Sequence, residues 1–117
     1  MIASTFYVIA VPNLAQSASF YRDVLGFEIR EIGDPGWRMY INGQCRIMVG
    51  ECSDAIPPNQ LGDHSYFAYW VIDNVDDYYE RVCKAGVDIT KPLNSEAWGM
   101  REFGLRTIDG HRIMICL

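Results

Sequence analysis

Read from its first residues, the chain alternates short apolar stretches with polar, glycine-marked breaks. Ser4 to Val11 is rich in β-branched and aromatic residues and stops at Pro12, which predicts a buried strand. Asn13 with Gln16 reads as a capping-box-like helix start, and Leu14, Ser17, Phe20, Tyr21, Val24 and Leu25 recur at a spacing that places them on one helical face, with Gly26 as the stop. Phe27 to Ile32 alternates as a strand, and Asp34-Pro35-Gly36 is a turn. Trp37 to Ile41 and Gln44 to Val49 flank Asn42-Gly43, a strong hairpin signal. The predicted order is β-α-β-β-β.

Residues 53–63 hold Pro57-Pro58, Asn59 and Gly62, a polar connection between two halves. The pattern then starts again. Tyr66 to Ile72 reads as a strand, Asn74 to Ala85 as a helix stopped by Gly86, Val87 to Thr90 as a strand, and Met100 to Thr107 with Arg112 to Leu117 as a hairpin around Asp109-Gly110. Val11, Asn13 and Gly26 recur as Val71, Asp73 and Gly86 at one constant offset. Arg46-Ile47-Met48-Val49 recurs as Arg112-Ile113-Met114-Ile115 at a larger one, which assigns a longer loop, Pro92 to Gly99, to the second half. The expectation is an α+β fold of two tandem β-α-β-β-β modules, 1–52 and 64–117, joined by the linker 53–63 in a single domain.

Composition narrows the function classes. With 117 residues, 50% of them hydrophobic and 21% charged, the chain is of ordinary globular size and character. No apolar run reaches the roughly 20 residues that cross a bilayer, and the N-terminus lacks the features of a secretory signal, so the expected compartment is cytoplasmic and no membrane partner is expected. The net charge of -5 and scattered basic residues argue against a nucleic-acid partner. Cys45, Cys52, Cys83 and Cys116 show no C-x-x-C spacing, so they read as reduced structural thiols rather than a zinc site.

Val11-Pro12-Asn13-Leu14, Ser17, the run Phe20 through Phe27, Val75-Asp76, Ala85-Gly86-Val87 and Asp109-Gly110-His111 together resemble the glyoxalase/bleomycin resistance/dioxygenase superfamily, also called vicinal oxygen chelate proteins, over nearly the whole chain. Trp98 to Phe103 looks like the segment before the last hairpin in its bleomycin resistance-like branch. The resemblance implies two modules facing each other around a cavity, and a homodimer. In the metal-dependent enzymes of the family the ligands sit on the first and last strands of each module, where nitrogen or oxygen donors hold a divalent ion that polarises an oxygen of the substrate or activates oxygen. Carried onto this chain, those positions are Phe6, Met48, Tyr66 and Met114. None is a usual ligand for a hard ion, so no metal and no other cofactor is expected. His64 is the one plausible substitute donor; His111 reads as a turn residue, and Glu51 has the wrong strand parity.

Strand alternation predicts what fills that face instead. With Met48 and Met114 turned to the cavity, Trp37, Met39 and Arg46 share the side of Met48, while Arg101, Phe103 and Arg112 fall beside Met114. Phe6, Val8, Tyr66, Ala68 and Trp70 complete an aromatic, Met-rich lining suited to a flat or amphipathic ligand. The candidate ligand-binding set is therefore Trp37, Met39, Arg46, Met48, Tyr66, Trp98, Arg101, Phe103 and Met114. Packed core is the competing role for Phe6, Met48 and Met114, a dimer contact for Trp98, and a salt bridge to an acidic neighbour for Arg101. Three functions remain: a protein that binds or sequesters a small hydrophobic or aromatic compound; a lyase, thiol transferase or dioxygenase with atypical metal ligands; and an interaction module with a vestigial cavity.

Overall fold

The apolar stretches of the first half close around one side of a four-stranded sheet. In a computed structural model, which describes residues 1–62 and 65–117, β1 (Tyr7–Val11), β2 (Glu28–Glu31), β3 (Trp37–Asn42) and β4 (Cys45–Glu51) lie in the order β1-β4-β3-β2. The β1–β4 pair is parallel and the others antiparallel. Helix α1 (Leu14–Phe20) begins at Asn13, whose Oδ1 accepts the Gln16 amide at 2.9 Å, and continues as a π-helical turn over Tyr21–Leu25 that Gly26 ends with φ 83. Leu14, Ser17, Tyr21 and Leu25 are buried on the same side as Ile9, Val11, Tyr40, Ile47 and Val49. The rings of Tyr21 and Tyr40 lie 4.7 Å apart, and the Tyr40 hydroxyl donates to Ser17 Oγ at 2.9 Å, so a serine on an apolar helix face serves a buried phenol.

The second half repeats the plan with β5 (Tyr66–Val71), α2 (Val75–Lys84), β6 (Asp88–Ser95), β7 (Arg101–Arg106) and β8 (Arg112–Cys116), in the order β5-β8-β7-β6. Asp76 and Asp77 in the first turn of α2 and Arg81 and Lys84 in its last complement the helix dipole, and Gly86 follows with φ 77. The Tyr79 ring packs 4.9 Å from Phe103. The two halves form separate compact units, Met1–Ala55 and Ile56–Leu117. Among the described residues no helix is long and apolar enough to cross a membrane. The four cysteines are free thiols.

Four local expectations change. The loop expected over Pro92 to Gly99 is strand as far as Ser95; β6 is an edge strand with register breaks around Lys91, where a proline's missing amide costs no ladder bond. The first hairpin turns at Gly43-Gln44 instead of Asn42-Gly43, with Gly43 at φ 56 and Asn42 paired to Cys45. That slip of two in pairing preserves parity, so Trp37, Met39, Arg46 and Met48 do share one face, with Trp37 paired to Gly50, Met39 to Met48 and Ile41 to Arg46.

The last hairpin breaks parity. Arg106 pairs with Arg112, the Thr107 amide donates to the His111 carbonyl at 2.8 Å, and a three-residue loop of Ile108, Asp109 and Gly110 (φ 94) replaces the expected two-residue turn. One residue more in the loop sends β7 to the other face relative to β8. Met114 therefore pairs with Gly104, while Phe103 pairs with Ile115 and is fully buried on the helix side. Arg101 follows Phe103 to that side and meets Asp76 of α2. A bulge between Tyr66 and Ala68 does the same to β5: Ala68 pairs with Ile113 and Trp70 with Ile115, both with buried side chains, and Tyr69 takes the place beside Met114. Tyr66 and Arg112 keep the expected side.

Two outcomes follow. A Cβ built on Gly104 would lie 2.7 Å from Thr90 Oγ1 and 3.0 Å from Met114 Sδ, so Gly104→Val should lower stability by about 1–3 kcal/mol in urea unfolding; unchanged stability would show that these neighbours yield freely. His111 is only 7% exposed, packs edge-on to Phe67 at 5.5 Å, and burial pushes its pKa down to about 4. The unfolded chain then binds a proton that the folded chain refuses, so stability is complete above about pH 6.5 and is lost as pH falls toward about 4, by roughly 3 kcal/mol. His111→Phe should flatten that part of the stability–pH curve, and an unaltered slope would assign it to other groups.

Candidate functional site

The parity of β7 brings a carboxylate, not an arginine, to the open face of the second sheet. Glu102 pairs with Cys116 across the ladder and is 2% exposed. Its Oε2 accepts the Tyr69 hydroxyl at 2.8 Å, and its Oε1 lies 3.5 Å from Lys91 Nζ. Lys91 also reaches Glu96 Oε1 at 2.7 Å and stands 5.4 Å from the centre of the Trp98 ring. A buried carboxylate is tolerable because two donors from two different strands converge on it. Hydrogen bonding to Glu96, then the field of Glu102, holds the Lys91 ammonium above its ordinary value. Burial, reinforced by the bond to Glu102, pushes the Tyr69 phenol well above its own. Tyr69 is thus a fixed donor, and the cluster carries one cation against two carboxylates.

Around this cluster lies an open cleft of about 610 Å³, lined by Tyr66, Phe67, Ala68, Tyr69, Lys91, Trp98, Glu102 and Met114. Trp98 stands in the turn before β7, closed by the Glu96 amide to the Met100 carbonyl at 2.7 Å and by Gly99 at φ 95, and is 65% exposed. An indole this exposed at the rim of an apolar hollow has a face free for stacking. The absence of a side chain at Gly104 leaves room for Met114 to lie across the floor.

Of the residues singled out from the sequence, the cleft unites Tyr66, Ala68, Trp98 and Met114. Phe103 lies on the opposite face, in the core. Arg101 is bound by Asp76, with Nη2 to Oδ1 at 2.7 Å, and by Ser95 Oγ at 3.0 Å, so of its two expected roles the structure places it in the salt bridge. Trp37, Met39, Arg46 and Met48 belong to the first unit, on the face away from α1, where the Trp37 ring lies over Gly50. Tyr69, Lys91, Glu102 and Phe67 were missed. The odd loop and the bulge exchanged the faces, and the sequence signal that favours them is Gly110 placed as third loop residue. His64 lies outside the described residues.

The four positions that carry metal in enzymes of the family do not fit a divalent ion here. Phe6 and Tyr66 each lie against a guanidinium, Arg46 at 4.7 Å and Arg112 at 4.8 Å from the ring centre, and Met48 and Met114 offer only thioethers. Each unit thus repeats one ring–cation pair where a hard ion would need anionic or imidazole donors. Among the described residues no three His, Cys, Asp or Glu side chains gather as a metal site.

Comparison with known proteins agrees with this architecture. The bleomycin resistance determinant encoded on transposon Tn5 superimposes with a TM-score of 0.76 at 19% identity, covering 98% of this chain and 97% of that one. TioX from Micromonospora sp. ML1 gives 0.74 at 21%, covering 97% and 98%, and a protein of unknown function from Agrobacterium tumefaciens str. C58 gives 0.77 at 24%, covering 99% and 94%. At such identities the likeness is one of fold. No curated protein matches the chain. Residues 4–115 match the family described as the Glyoxalase/Bleomycin resistance protein/Dioxygenase superfamily, and the chain belongs to it.

Proposed function

We propose that this protein binds and sequesters a small, flat organic compound in the cleft of its second unit, without catalysis. The observation that carries the reading is the pairing of exposed and half-exposed rings, Tyr66, Tyr69 and Trp98, with one buried polar cluster, Tyr69–Glu102–Lys91. Apolar walls with a few fixed polar groups are what a small-ligand site needs. With Arg101 engaged by Asp76, the polar cluster sets Glu102 and Glu96 against Lys91, while Arg112 lies against the Tyr66 ring, so the reading favours a ligand that places hydrogen-bond donors or a positive charge at Glu102. The Tn5 relative carries the name of a drug-resistance determinant, and sequestration requires no catalytic group. The reading includes a homodimer, on the family resemblance, and a cytoplasmic location, with Trp37, Met39, Arg46 and Met48 available for further ligand contacts.

The test is a tryptophan-fluorescence titration with a panel of neutral, cationic and anionic aromatic compounds, with melting temperatures and sedimentation run alongside. Cationic or neutral rings should quench, and Trp98→Ala should weaken their binding about tenfold, near 1.4 kcal/mol, with the fold intact. If no compound quenches, or if Trp98→Ala melts early or dissociates a dimer instead, Trp98 is a structural or interface residue and the binding reading fails. Stoichiometric zinc, nickel, iron or manganese in protein purified without chelator would favour a metal-dependent enzyme.

A further inference from the structure

The first unit contains four arginines, Arg22, Arg30, Arg38 and Arg46, and three of them are held by carboxylates: Arg22 by Asp23, Arg30 by Glu28 and Arg38 by Glu31. The remaining acids of the unit are engaged elsewhere, Glu51 with the Leu14 amide, Asp34 with the Gly36 amide and Asp54 with the Cys52 thiol. Arg46 stands apart. Among the described residues no ion pair or hydrogen bond reaches it; the Phe6 ring covers it at 4.7 Å, and its Nε is buried without an acceptor. It borders a separate pocket of about 380 Å³ together with Ser4, Thr5 and Gln44 at the turn of the first hairpin.

A guanidinium that has surrendered part of its hydration to a ring and a strand, with no counter-charge, is a costly arrangement that an anion relieves. With Nε buried, the terminal amino groups are the donors that an incoming group reaches, and the hydroxyls and amide of Ser4, Thr5 and Gln44 are the neutral donors beside them. We propose that this pocket holds a small oxyanion, a carboxylate or phosphoryl group, against Arg46. The site is built from residues of the first unit alone.

NMR titration of the backbone amide resonances of Thr5, Gln44 and residue 46, which every variant retains, with inorganic phosphate and with acetate, against chloride at constant ionic strength, tests it. A saturable shift is expected, with Kd on the order of 1 mM, the range that a few charge-assisted hydrogen bonds support. Arg46→Gln should weaken it at least about tenfold and Arg46→Lys less, while Trp98→Ala leaves it unchanged; response to phosphate alone would identify a phosphoryl group, and response to acetate a carboxylate. A linear drift equal to that in chloride, or full affinity in Arg46→Lys and Arg46→Gln, would overturn the proposal. Should Arg46→Gln not fold, the wild-type titration with Arg46→Lys decides.

Discussion

The hydrogen bond from the Thr107 amide to the His111 carbonyl closes a loop of three residues, and the chemistry of the second unit depends on that count. With two residues in the loop, Phe103 and Arg101 would lie beside Met114, and the open face would be a ring with a cation. With three, Phe103 joins Leu105, Ile113 and Ile115 in the core under α2, while Gly104 and Glu102 come to the open face. The bulge at Tyr66–Ala68 makes the matching correction in β5, delivering Tyr69 to within hydrogen-bonding distance of Glu102. Two independent irregularities thus cooperate to build one buried polar cluster.

The burial of Glu102 in turn fixes its neighbours. A carboxylate removed from water is stable only with its lone pairs occupied, so Tyr69 and Lys91 are held in place, and Lys91 ties the turn that bears Trp98 to the sheet through Glu96. The rotamer-rich side chains of the cleft are thereby held in place, the preorganisation that the proposed binding role calls for. In the first unit the corresponding face has no such acid, and the repeated ring–cation pair, Arg46 on Phe6, is left with its charge uncompensated. The duplicated fold keeps one backbone plan and one ring–cation pair in each unit, and adds the Glu102 cluster to the second.

Much of this plan was legible in the residues. Helix stops at Gly26 and Gly86, the Asn13 cap and the repeated Arg-Ile-Met sequence follow from local physics that tertiary packing does not override. The faces of the first sheet were also legible, because moving a two-residue turn by one residue shifts the pairing by two and preserves parity. The faces of the second sheet were not, because Asp109-Gly110 suits both a two-residue turn and the end of a three-residue loop with glycine at positive φ. A single added residue reverses every side chain that follows. The strand at Pro92 was hidden for a related reason: proline speaks against a strand unless the strand lies at an edge, and edge position is a property of the whole sheet.

Backbone NMR screening of a library of aromatic and amphipathic fragments decides whether the open face of the second sheet is a ligand site organised by Glu102. Binding fragments should shift the amides of Tyr69, Trp98, Glu102 and Met114 together, and Glu102→Gln, which keeps the shape and removes the charge, should shift the preference away from cationic fragments. Fragments that bind elsewhere while these four amides stay unmoved, or an unchanged charge preference in Glu102→Gln, would contradict it.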